Sequence, residues 1–249
     1  MKTLKLSSFK HWSYLVDFLV IVLGILVALA LNNWNTERQR KNAEFEFLRE
    51  VQKTLGKDLE DAQINLLHHQ RCIDSIDSLF LAFDNHVPYN ESMIPHFSRL
   101  LSTMIFLQTE GPLNVLQSKG FELISNDSIR GSLIRLYGMS YPAIDAMENQ
   151  LPQFQHFNLL FEYIRKNFTR SSKSQYDTNI TLAIEPLSYD QITQDPEFRL
   201  LLAHSRKWRE VSVYYYGLLV GRIQKLISEI NEQIDIREGR ESREKSPGE

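Results

Sequence analysis

Polar side chains vanish from the chain between Phe18 and Leu31, and only Asp17 interrupts the apolar run back to Tyr14. A run of about 20 apolar residues at ~1.5 Å rise crosses a hydrocarbon core of roughly 30 Å. Trp12 and Tyr14 precede the run and Trp34 closes it, the places where amphipathic rings settle at headgroup level. The pattern predicts a basic N-terminal flank over 1–13 and a transmembrane helix over 14–34. From Glu37 to about Asp84 the period changes to steps of three and four, through Phe45, Leu48, Val51, Leu55, Leu59, Ala62, Leu66, Ile73, Ile76, Phe80 and Phe83. That spacing predicts one amphipathic helix over about 37–84, a stalk into which the membrane helix runs. Glu44, Lys53, Lys57, Asp58, Glu60, Asp61 and Arg71 are expected on its solvated face.

Beyond a loop at Asn85–Asn90, Pro95 suits a first helical turn with Ser92 as its cap, and Phe97, Leu100, Leu101, Met104 and Ile105 supply a buried face. Glu110-Gly111-Pro112 reads as a turn, and Leu113, Val115 and Leu116 open a short helix that ends at Gly120. Ser125 to Ser128 offers caps for a helix carrying Ile129, Leu133, Ile134, Leu136 and Tyr137, which Gly138, Pro142 and Pro152 kink or divide on its way to about Phe168. Thr169 to Asp190 reads as a long loop with a short extended piece at Thr181–Ile184. A second long helix follows over about 196–237, with Phe198, Leu201, Trp208, Val211, Tyr215, Leu218, Leu226, Ile230 and Ile234 inward. The last residues, 238–249, are charged and predicted to be a disordered tail.

The fold class expected is therefore all-α. A transmembrane helix continues into a stalk, and an antiparallel helical bundle domain over 35–237 is closed by the second long helix. The same N-terminal stretch also fits a cleaved signal peptide, with Lys2, Lys5 and Lys10 as its basic region and Ala28-Leu29-Ala30 as its cleavage pattern. Against that stand the long basic region, Asp17, and helical sequence running without a break from Asn35.

One face of the span is distinctive. Asp17, Gly24, Ala28 and Leu31 lie along a single helical stripe, and Gly24 with Ala28 forms a small-xxx-small pair that lets two backbones approach closely. These four are the candidate membrane-helix interface, with Asp17 either in contact with a partner helix or at headgroup level.

Composition narrows the function classes. Hydrophobic residues at 43% and charged ones at 24% describe a folded chain, and a net charge of -3 gives no reason to expect nucleic acid. The single cysteine, Cys72, excludes an internal disulfide framework. Lys and Arg are nearly balanced on the two sides of the span, with a modest preference for the N-terminus in the cytoplasm and the domain in the periplasm.

Signatures of chemistry are sparse. His68 and Cys72 sit one helical turn apart, a two-ligand clip with no further cysteine to complete a metal site. There is no glycine-rich phosphate loop, no nucleophile elbow, no His-Glu-x-x-His and no spaced cysteine pair, so neither catalytic residues nor cofactors are expected.

The run Gly24-Ile25-Leu26-Val27-Ala28-Leu29 to Asn32-Asn33-Trp34-Asn35, with Asp17 before it, resembles the opening of a family of uncharacterised membrane proteins of Bacteroidetes, domain of unknown function 6090. Leu113-Asn114-Val115-Leu116-Gln117-Ser118-Lys119-Gly120, with Leu123-Ile124-Ser125-Asn126 after it, resembles that family's middle motif, and the closing long helix resembles its end. The family usually has Glu where this chain has Asp17 and Gln where it has Ala30. The resemblance implies a single-pass protein of the bacterial inner membrane and supplies no activity or site residues.

Two classes of function remain. One is a membrane-tethered interaction, scaffold or sensing module, partnered by the lipid bilayer and by itself as a homo-oligomer or by another membrane protein. Its candidate partner-binding turn comprises Gly111, Pro112, Asn114, Lys119, Gly120 and Asn126. The other is a hydrolase-like enzyme with Glu110, Glu122, Asp127 and Asp145 in a bundle groove.

Overall fold

A computed structural model describes residues 7–149, 153–172 and 182–245, with side chains from Val16 to Asn149, Phe157 to Ser172 and Leu182 to Gly239. Its frame is two long helices. α1, Ser7–Asp84, contains 78 residues, about 117 Å of helix, and passes without interruption from the apolar span into the stalk. No proline lies within it, and its two glycines, Gly24 and Gly56, leave the ladder unbroken. α8, Pro196–Lys245, contains 50 residues and returns antiparallel along α1. The pairing is fixed by Arg199 with Asp84, Arg206 with Asp77, Gln52 with Asn231 and Arg49 with Glu238.

Shorter elements fill the space between them. α2, Ile94–Arg99, follows a 3-10 turn at Glu91–Met93; α3, Gly111–Lys119, and α4, Asp127–Arg135, flank a second such turn at Phe121–Leu123. A π-helical turn at Leu136–Ser140 joins α4 to α5, Tyr141–Asn149, and falls where Gly138 was expected to disturb the helix. α6, Gln153–Asn167, leads into β1, Phe168–Arg170, which pairs antiparallel with β2, Ile184–Pro186, before α7, Tyr189–Gln194. Among the described residues the sheet has two strands, so the architecture is the helical one expected.

Two apolar cores stack along the frame. The span-side core joins Leu48, Val51 and Leu55 of α1 to Leu116, Ile129, Leu133 and Ile144, and to Leu219, Ile223, Leu226 and Ile230 of α8. The distal core joins Ile76, Leu79 and Phe83 to Phe97, Leu160, Ile164, Ile192, Phe198 and Leu202. Between the two, α1 presents the buried polar residues Asn65 and His69, and α8 presents Arg209.

Several expectations are corrected. Glu44 and Asp58 are buried, at 7% and 0% exposure, rather than on the solvated face. Both fall in step with the seam, Glu44 four residues before Leu48 and Asp58 three after Leu55, and both find donors inside. α2 ends at Arg99, and 103–110 is neither helix nor strand, with Ile105 59% exposed. Ser92 does not cap α2, whose N-cap is Met93 with no side-chain cap; Asn90 instead caps the preceding 3-10 turn, accepting from the Ser92 N–H at 3.1 Å. In α8 the buried positions are Tyr216 and Leu219, while Tyr215 and Leu218 face out. The extended piece is Ile184–Pro186, with Leu182 and Ala183 outside the strand; Thr181 lies outside the described residues, as does Pro152. Glu238 to Lys245 continues α8 where a disordered tail was expected, and 246–249 lie outside the described residues.

Candidate functional site

The span carries the first candidate surface. Asp17, Gly24, Ala28 and Leu31 are all exposed along α1, and a Cβ added at Gly24 would meet nothing within 4 Å. Phe18, Leu23, Ile25 and Leu26 are each more than half exposed as well, so the whole circumference of this segment is apolar and uncovered. Of the expected interfacial anchors, Trp34 is 62% exposed and the Arg38 guanidinium lies 5.7 Å from its ring centroid. Trp12 and Tyr14 fall within α1, but their side chains, and the basic residues Lys2 and Lys5, lie outside what the structure describes.

The second candidate, the turn region around α3, is bound tightly to the frame. Gly111 and Pro112 open α3, with Pro112 buried, and Gly120 closes it at φ +85, a backbone setting that L side chains resist. Asn126 caps α4: its Oδ1 accepts from the N–H of Ser128 and Ile129, and its amide donates to Gln233 of α8 at 2.8 Å. Glu44 reaches across from α1 and accepts from both the N–H and the hydroxyl of Ser125 at 2.7 Å. Asn114 and Lys119 remain exposed on the outside of α3. The region therefore combines a fixed backbone with outward polar side chains.

The structure also assembles a polar seam that the sequence did not single out. The segment 103–110, neither helix nor strand, lies along α1 and is pinned by carboxylates rather than by a neighbouring strand. Thr109 donates its N–H and hydroxyl to Asp58, Leu107 donates its N–H to Asp61 at 2.9 Å, and Phe106 donates to Glu148 of α5. Tyr141 donates to the other Asp58 oxygen at 2.6 Å, and Tyr216 donates to Glu148. Burial pushes the Asp58 and Glu148 carboxyls above their ordinary values, while these donors pull the other way. With backbone amides and phenol hydroxyls on their oxygens, these carboxylates serve as structural acceptors. The signal that could have revealed them is the placement of an acid in step with Leu55 and Ala62.

About two turns further along α1, Arg209 of α8 donates to the Ser102 carbonyl at 2.7 Å and to His69 Nδ1 at 3.1 Å. A guanidinium can only donate, so Nδ1 is the acceptor and the His69 proton sits on Nε2. Burial and the adjacent Arg209 charge hold the imidazole down to about 3. His68 Nε2 and Cys72 Sγ are 3.7 Å apart, as the one-turn spacing requires, but burial raises the thiol and the same guanidinium opposes a second cation. Among the described residues no three His, Cys, Asp or Glu converge to hold a metal. Glu110, Glu122, Asp127 and Asp145 are exposed on four different elements; Asp127 pairs with Arg130, and Asp145 accepts from Asn149.

Fold and site together define a helical protein that has, among the described residues, one helix long and apolar enough to cross a membrane. No family model, characterised protein or solved structure matches the chain.

Proposed function

We propose that the chain is a single-pass protein of the bacterial inner membrane, related to domain of unknown function 6090. In this reading α1 anchors a non-catalytic interaction, scaffold or sensing module in the periplasm. The observation that carries it is the continuity of α1: an apolar, wholly uncovered segment joins, within one unbroken helix, a segment whose inward face is filled by the bundle core. A soluble protein gains nothing from leaving about a dozen large apolar side chains in water, since each buried large one is worth about 1.5–3 kcal/mol. The saturated carboxylates of the seam favour an interaction role over hydrolysis. The exposed Gly24 face and the outer side of α3 are the surfaces through which a second copy or another membrane protein is engaged.

Alkaline carbonate extraction of native membranes, followed by mass spectrometry of the N-terminus, tests the anchor. The protein is expected in the pellet with residues 16–31 intact; a carbonate-soluble chain beginning near Leu31 would refute the reading. Protease added to spheroplasts is expected to cleave the bundle, and protection there would reverse the orientation. Crosslinked complexes recovered from those membranes identify the partner.

A further inference from the structure

The alignment of α8 on α1 sets how far the C-terminal helix reaches toward the span. Arg237 donates to the carbonyl of Lys41 and to the Asn42 side chain at 2.6 Å. Eight more helical residues carry α8 from there to Lys245, about 12 Å. In the opposite direction along the pair, the seven residues from Lys41 back to Trp34 cover about 10 Å. The two lengths match, so the last turns of α8 stand level with exposed Trp34, at the end of the apolar segment.

Charge at this end departs from that of the whole chain. Residues 35–43 and 237–245 carry seven Lys or Arg against four Glu, within a chain whose net charge is -3. On α1, Glu37 is shared between Arg40 and Lys41, whose side chains stay 48% and 62% exposed. The next acid, Glu44, is turned inward onto Ser125. Arg38 lies one turn, about 6 Å, beyond Trp34, inside the headgroup layer that flanks the hydrocarbon. Lys41 is within about a Debye length of that surface, where fixed negative charge is still felt.

With α1 as the anchor, we propose that the span-side end of the bundle docks on anionic phospholipid headgroups. Arg38, Arg40 and Lys41 on α1 and the last turns of α8 together form that contact. α8, whose sequence there includes Arg240, Arg243 and Lys245, thereby makes a second attachment to the bilayer beside the span.

The test is amide hydrogen exchange on the full-length protein in nanodiscs of phosphatidylcholine alone and of phosphatidylcholine with roughly a third phosphatidylglycerol. Exchange across 237–245 is expected to slow several-fold in the anionic discs and to return to the neutral-lipid rate at about 0.5 M salt, where screening is nearly complete. Arg240→Gln with Arg243→Gln, or Arg38→Gln with Lys41→Gln, is expected to reduce the difference while exchange at Leu219–Ile234 stays unchanged. Equal exchange in the two lipids, with residues 16–31 protected in both, overturns the headgroup contact and leaves the anchor standing. Free exchange of residues 16–31, or failure to enter either disc, overturns both.

Discussion

Acid acts on this protein through His69. Native His69 is held to a pKa of about 3, against an ordinary value of 6.5, by burial and by the Arg209 guanidinium 3.1 Å from Nδ1. The unfolded chain takes a proton near pH 6.5 and the native one only near 3, so between those values the unfolded state binds the extra proton. The contribution is complete above pH 6.5 and is lost as the pH falls toward 3. At pH 4.5 the two units already traversed correspond to about 2.7 kcal/mol, a large part of an ordinary domain's stability. Asp58 and Glu148, with raised carboxyl values, work in the opposite direction, so the His69 effect is read as a difference between variants. His69→Gln keeps an acceptor for Arg209 and cannot titrate. Urea midpoints of the full-length protein in mild detergent, taken at pH 7.5 and 4.5, supply the comparison. The wild type is expected to lose about 2–3 kcal/mol more than His69→Gln between the two pH values. Equal losses would show that His69 is not held neutral by its surroundings, and the account of the polar layer would fail.

Asp58→Ala strands the Tyr141 hydroxyl and both Thr109 donors inside the bundle, an expected loss of about 3 kcal/mol in the same urea assay. Adding Tyr141→Phe should recover part of that loss, and a strictly additive double variant would argue against the pairing. Asn126→Ala removes the α4 cap and the link to Gln233, and is expected to cost about 1 kcal/mol and to speed amide exchange at Ser128 and Ile129. Gly24→Ile is expected to abolish crosslinked dimers in native membranes; crosslinking that persists unchanged would remove the Gly24 face as the contact.

Much of the frame was legible from periodicity. Leu48, Val51, Leu55, Ala62, Ile73, Ile76 and Phe83 fall on the predicted seam and are buried, because long runs of three- and four-residue steps admit one helical solution. Gly120 and Asn126 were legible as punctuation for a local reason: a positive φ and an N-cap each demand a small set of residue types. The stretch after Arg99 was not. Met104 and Ile105 continue an apolar pattern, and what holds 103–110 out of a helix is a set of acceptors supplied by Asp58, Asp61 and Glu148. Those residues are 42 to 51 positions away, beyond the reach of any local rule. The one-residue shift from Tyr215 to Tyr216 has a similar origin: three successive tyrosines are equivalent in hydropathy, and the one that turns inward is the one that meets Glu148. The span surface was legible as apolar, and the structure leaves it uncovered.

The layer at Asn65, His69 and Arg209 has a consequence for the two long rods it joins. Leucine and isoleucine interdigitate almost as well after a one-turn slide, so a purely oily seam would tolerate several alignments. A guanidinium that must find both an imidazole and the Ser102 carbonyl permits one, because every neighbouring offset would leave a buried charge without its acceptors. That layer is the key that stops the rods from slipping past each other, and it keeps the far end of the molecule at a fixed height above its base.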